Sequence, residues 1–173
     1  MRPLLSGALL GAALASQMAC LKPAPPVRVY HLGEQVEAGT LAYTVLEAKW
    51  RAQIGEGSDV RVPEHRFLVV HFTVTNSGAR DMMAPALTIV DQSGRNYDES
   101  MDGRGVPSWL GIIRKMKPAE TLDGAILFDA EPKSYKLKLD DGSGISPSMV
   151  ELPLQFEAGE TAIPSAIEDQ PKR

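Results

Sequence analysis

RFLVVHFTVTN, residues Arg66–Asn76, carries the clearest periodic signal in the chain. Leu68, Val70, Phe72 and Val74 fall on one face of an extended backbone, and His71, Thr73 and Thr75 fall on the other. Phe67 and Val69 make the start apolar on both sides. Period-two alternation in β-branched and aromatic residues marks a strand with one face in a core. Asn76-Ser77-Gly78 then stops it with turn-forming residues.

Outward from this strand the pattern repeats in shorter runs. Upstream, Gly33–Gly39 reads as a short first strand. Leu41–Trp50 begins with Leu41, Tyr43 and Val45 in phase and loses phase at Leu46, which predicts a bulge there. Arg51–Glu64, with Gly55, Gly57 and Pro63, reads as a long mobile connection. Downstream, Ala79–Pro85 reads as a link, Leu87–Asp91 and Arg95–Asp98 as a hairpin, and Glu99–Ser108 as irregular. Trp109–Met116 is ambiguous between a strand and a helical turn. In Thr121–Asp129, Leu122, Ile126 and Phe128 share a face with Gly124 between them, Tyr135, Leu137 and Leu139 are in phase, and Met149–Phe156 reads as a last edge strand because of Pro153. No window of about 11 or more residues has a helical period. The expectation is an all-β, immunoglobulin-like antiparallel β-sandwich of about seven short strands.

The amino-terminal residues read as a targeting segment. Arg2 precedes Leu4–Ala15, a 12-residue apolar run. That is short of the roughly 18 residues needed to span a bilayer as a helix, and it suits a signal peptide. Met18-Ala19-Cys20 resembles the lipobox of bacterial lipoproteins, although Gln17 stands where that pattern usually has Leu. The resemblance implies cleavage before Cys20 and acylation of it, with plain secretion as the alternative. Cys20 is the only cysteine, so it forms no internal disulfide. The expected organisation is a signal peptide over 1–19, a lipidated Cys20 with a Pro-rich tether over 20–31, a sandwich over 32–156 and a disordered polar tail over 157–173. Removing residues 1–19 of 173 leaves 154, enough for one domain. No Asp follows Cys20, which by the same resemblance implies the outer membrane in a Gram-negative cell. The formal charge of −4 argues against nucleic acid as a partner.

The order of features also resembles the DUF4352 family of immunoglobulin-like domains in bacterial envelope lipoproteins and secreted antigens. Leu32-Gly33-Glu34, Phe67–Asn76 with Gly78, Val90–Tyr97, Met116–Glu120, Gly124–Phe128 and Tyr135–Leu139 carry the likeness, over roughly Leu32–Asp140. Ala119 stands where the family usually has Gly, which the resemblance implies alters the turn type. The family shares no catalytic residues, so the likeness implies fold and location only.

The motifs of catalysis are missing from the sequence. There is no G-x-S-x-G, no Ser followed three residues later by Lys, no H-E-x-x-H, no P-loop and no G-x-G-x-x-G. No enzyme activity and no cofactor are expected. Two sets of residues could suit a metal. Asp91, Ser93, Asn96, Asp98, Glu99 and Asp102 offer oxygen ligands of the kind calcium takes, but their spacing misses the EF-hand. His71 and Met82, with Met83, Met101 and Met116, offer imidazole and thioether to copper(I). This is similar to part of a periplasmic copper-chaperone pattern, without its later His-x-Met. Asp91, Asp98, His71 and Met82 are thus weak metal candidates, and the blander reading is turn and core residues. The preferred expectation is a membrane-anchored binding module for an envelope protein or glycan. Its contact surface is placed on Glu99–Lys117 with Trp109, Arg104 and Arg114, because sandwiches carry function in loops. Trp50 and Trp109 read more readily as lids on the core than as anchors for a partner.

Overall fold

The structure, a computed structural model, describes residues 27–143 and 147–158. The expected signal peptide, Cys20, most of the expected tether and nearly all of the expected tail fall outside the described residues. Eleven strands are described, against about seven expected. They are β1 (Val29–Tyr30), β2 (Gln35–Ala38), β3 (Leu41–Arg51), β4 (Arg66–Asn76), β5 (Met82–Ala84), β6 (Thr88–Val90), β7 (Asn96–Asp98), β8 (Arg114–Met116), β9 (Thr121–Ala130), β10 (Tyr135–Leu139) and β11 (Ser148–Leu152).

The RFLVVHFTVTN stretch is β4, at the centre of a sheet ordered β2-β3-β4-β9. It pairs antiparallel with β3 and β9 along its length, so its backbone groups are satisfied on both sides. The β3–β4 register shifts between Val45 and Glu47. The extra residue, Leu46, is turned out to solvent, as its loss of phase predicts. The second sheet is ordered β1-β11-β10-β6-β7. A two-stranded ribbon, β5-β8, closes one side.

Alternate residues of the two sheets meet in one core. Tyr43, Trp50, Leu68, Val70, Phe72, Ile126 and Phe128 come from the first sheet, and Ile89, Leu137, Leu139 and Val150 from the second. Each large side chain so buried contributes roughly 1.5–3 kcal/mol relative to exposure. Tyr43 Oη donates to the Asp140 carbonyl at 3.0 Å, so the phenol crosses the core without an orphaned hydroxyl. Burial pushes that phenol well above the usual tyrosine range, with the Asp140 charge adding to it.

Several expectations are corrected. Val29–Tyr30, assigned to the tether, is a strand that lies parallel to β11. The last strand is therefore not an edge: it sits between β1 and β10 and ends at Leu152, immediately before Pro153. Phe156 instead bridges to Trp50, where Trp50 N–H donates to Gln155 O and Glu157 N–H donates to Trp50 O. Residues 51–64 are pinned rather than loose, through an Ile54–Arg61 bridge and a buried Ile54 around the 3-10 turn Gly57–Asp59. The 79–85 link contains β5. At the turn after β8, Glu120 N–H donates to Lys117 O at 3.1 Å, and Ala119 has φ +61°. With Pro118 before it, this is the turn geometry that favours Gly at Ala119, so the turn type is kept and Ala carries the strain.

The registers give the sandwich two distinct ends. Gly39-Thr40, Ser77–Asp81, Lys117–Glu120, the Asp140–Gly142 turn and the start of β1 lie at one. The 52–65 connection, the 91–95 and 131–134 turns and the 153–157 segment lie at the other.

Candidate contact surface

The segment after β7 does not hang from the sandwich. It crosses the outer face of the β2-β3-β4-β9 sheet and is bonded to the free edge of β9. Ser100 N–H donates to Leu127 O at 2.7 Å, Ala125 N–H to Ser108 O at 2.9 Å and Leu110 N–H to Ala125 O at 3.0 Å. An exposed strand edge invites pairing with other chains, and here part of that edge is covered.

Two neighbouring side chains straddle the covered edge. Leu110 packs against the main core, at a point where a methyl on Gly124 would meet the Ser108 carbonyl at 2.2 Å and Leu110 at 2.8 Å. Trp109 lies on the opposite face, against a second apolar cluster of Ile54, Phe67, Val106, Ala125 and Leu127. Its ring rests on Gly103, where a methyl would fall 2.3 Å from it. Its indole N–H is buried without an acceptor among the described residues. Trp109 is thus a lid on this cluster, and Trp50 is fully inside the main core.

The other two expected contact residues part company. Arg104 is 81 % exposed at the loop tip and forms a fork on Asp102, with Nε 3.1 Å from both carboxylate oxygens and Nη2 2.8 Å from Oδ2. Those bonds hold the Asp102 carboxyl down at about 2. Arg61 reaches the same tip, donating to the Asp102 and Arg104 carbonyls at 3.1 and 2.8 Å. Beside it is a concavity of about 610 Å³ lined by Gly55, Asp59, Arg61 and Arg104. Arg114, by contrast, is buried and cannot meet a partner. It is paired with Glu99, also buried, and donates to Pro85 O at 3.0 Å. The large apolar side chains that the loop presents are Met101 and Ile113, 80 % and 81 % exposed, with Met83 of β5 also exposed. Sequence reading passed over Met101 and Ile113 as contact residues, because a lone Met in a polar loop and one Ile of the Ile112-Ile113 pair give no sign of which way they turn.

The metal candidates do not converge. Asp91 accepts bonds from Ser93 N–H, Ser93 Oγ, Arg95 N–H, Tyr97 Oη and Lys133 Nζ at 2.6–3.3 Å. The Ser93 bond, then Lys133, hold its carboxyl far below the usual range. The Asp98 backbone is paired with Thr88, at the far end of the hairpin from Asp91. His71 faces outward and meets Asp123 at 3.0 Å, whereas Met82 packs on the core and accepts from Thr40 Oγ1 at 3.3 Å. Among the described residues no group of three or more His, Cys, Asp or Glu is arranged to hold a metal ion. A second groove, of about 810 Å³, opens beside His31, Tyr135, Lys136 and Glu151. It was not anticipated, since its walls come from four separate parts of the chain.

The fold and this edge-covering loop can be set beside known proteins. The family model described as "Domain of unknown function (DUF4352)" matches residues 30–147. The chain belongs to the DUF4352 family. Solved structures agree on the fold. The yjhA protein of Bacillus subtilis superposes with a TM-score of 0.54 at 16% identity, over 72% of this chain and 99% of that one. An uncharacterized beta-sandwich protein of Clostridium difficile superposes at 0.50 and 10% identity, over 76% and 98%. The ycdA protein of Bacillus subtilis, named as a candidate lipoprotein, superposes at 0.52 and 10% identity, over 68% of this chain and 38% of that one. No curated protein matches the chain. No helix among the described residues is long and apolar enough to cross a membrane.

Proposed function

We propose that this DUF4352 protein is a lipid-anchored protein of the bacterial envelope whose sandwich is a non-enzymatic binding module. Cys20 carries the anchor, and the partner, an envelope protein or a glycan, is met through the segment from Glu99 to Lys117. The observation behind this reading is the build of that segment. Its backbone is bonded to β9 and its base is held by the buried Arg114–Glu99 pair, yet it turns Met101 and Ile113 almost fully to solvent. Apolar side chains held out on a rigid frame bind with little loss of conformational entropy. The candidate-lipoprotein name of the ycdA protein is consistent with the anchor.

Two measurements test the reading. Cys20→Ala is expected to abolish fatty-acid labelling and to move the protein from the membrane to the soluble fraction; unchanged partitioning removes the anchor. A photo-crosslinking residue at Met101 or Ile113 is expected to give a discrete adduct in intact cells that the same residue at Thr73, on the polar part of the sheet, does not give. Identical patterns from all three positions remove the contact surface.

A further inference from the structure

We infer that the sandwich stands on the membrane by one particular end, with the Gly39-Thr40, Ser77–Asp81, Lys117–Glu120 and Asp140–Gly142 turns toward the lipid. The 52–65 connection and the Asp102–Gly105 tip then point away from it. The inference rests on the anchoring at Cys20 proposed above.

The argument is one of chain length and topology. The described chain begins at Val27, two residues before β1. β1 starts beside Met149, whose neighbour on β10 is Lys138, and Arg28 O accepts from Met149 N–H at 3.0 Å. The chain therefore enters the fold near the Asp140 end. Val27 is seven residues from Cys20, so the tether reaches about 25 Å at full extension. The eleven residues of β4 run from the other end to this one, a length of about 35 Å. An inverted sandwich would lift Val27 about that far above the bilayer, beyond the tether's reach. The anchor and the 52–65 connection are thus held apart by the sheet itself.

Charge gives no reason for the sandwich to lie flat. On the outer face of the second sheet, Lys136 is paired across the strands with Glu151, and Thr88 lies between Lys138 and Asp98. On the first sheet Lys49 meets Glu47 at 2.7 Å and His71 meets Asp123 at 3.0 Å. Neither face is a basic surface of the kind that anionic lipid attracts. At the lipid-facing end Arg80 and Lys117 are likewise offset by Asp81 and Glu120. Glu157 lies at the opposite end, where its N–H is bonded to Trp50 O near the end of β3. Arg104 and Met101 belong to that distal end, beside Arg61, which is where a partner approaching from outside the membrane arrives first.

The test uses the full lipidated protein, reconstituted into vesicles of phosphatidylethanolamine and phosphatidylglycerol that carry a headgroup-linked acceptor dye. A donor dye is placed on Ala79→Cys or on Ser58→Cys, both at exposed positions, and each labelled protein is checked by flotation and by its melt. Energy transfer to the lipid is expected to be strong from position 79 and to fall severalfold at position 58. Equal transfer from both, or more from 58, overturns the orientation while co-flotation leaves the anchor standing. Absence from the floated vesicles overturns the anchor, and the orientation falls with it.

Discussion

Arg114 and Glu99 form an ion pair inside the wall of the sandwich, each side chain 1 % exposed. The pair ties three segments together, since Arg114 also donates to Pro85 O and Glu99 accepts from Leu87 N–H at 3.1 Å. Burial pushes the Glu99 carboxyl up, and the Arg114 charge opposes that. Removing one partner leaves an uncompensated buried charge, which costs roughly 3–5 kcal/mol, whereas replacing both by apolar residues of similar volume is often neutral. Arg114→Ala is therefore expected to lower the stability measured by urea unfolding by about that amount. Arg114→Met with Glu99→Leu should recover most of it. A double variant as unstable as the single one would show that packing, not charge, governs the site.

Ala119 sits at φ +61° in the Lys117–Glu120 turn, where a Cβ is strained and Gly is not. Its N–H also donates to Asn76 O at 2.9 Å, so the conformation is locked by the end of β4. Ala119→Gly should raise stability by roughly 0.5–1 kcal/mol, the relief of strain exceeding the entropy that Gly adds to the unfolded chain. A thermal melt reads this directly, and a lower midpoint would contradict the turn assignment.

How much of this was legible in the sequence depends on where each residue's partner lies. β4 and β10 alternate for five residues or more, and the Leu46 bulge announced itself as a break in phase. β1, β5 and β8 are two or three residues long, too short for a period to exist. They are strands because of partners more than thirty residues away, as Met82 is to Met116. Arg114 was misplaced for a similar reason. An arginine reads as surface unless a buried carboxylate meets it, and Glu99 lies in a segment that reads as loop. The covered edge of β9 was likewise invisible, because Gly124 and Gly103 are informative only once the atoms they make room for are known.

Acid should weaken the fold through Asp91 and Asp102. Both carboxyls titrate lower in the folded chain than in the unfolded one, Asp91 through Ser93 and Lys133 and Asp102 through Arg104. A depressed folded value means that the unfolded chain binds the proton first. The stabilisation is thus complete above about pH 4, and for Asp102 it drains away as pH falls from there toward about 2. The urea midpoint is expected to fall over that window. Asp91→Asn with Asp102→Asn should be less stable at pH 7 and should show a shallower acid slope. An unchanged slope would place the acid sensitivity elsewhere.

Gly124 and Ser108 set the last expectation. Ser108 holds φ +55°, and its carbonyl accepts from Ala125 N–H only because no side chain occupies position 124. Gly124→Ala would place a methyl 2.2 Å from that carbonyl, a backbone atom that cannot swing aside as a side chain can. The loop must lift, releasing the Leu110 and Ala125 amides and withdrawing Leu110 from the core. Such overpacking typically costs 1–3 kcal/mol. Hydrogen exchange should show protection lost at Leu110, Ala125 and Ser100 and kept along β3 and β4, because their ladder does not involve the loop. Adding Leu110→Ala should not restore it, since the nearest clash is with the Ser108 carbonyl. Restoration would instead make Leu110 the obstacle, and loss of protection across β3 and β4 would mean that the edge cover is part of the folding unit.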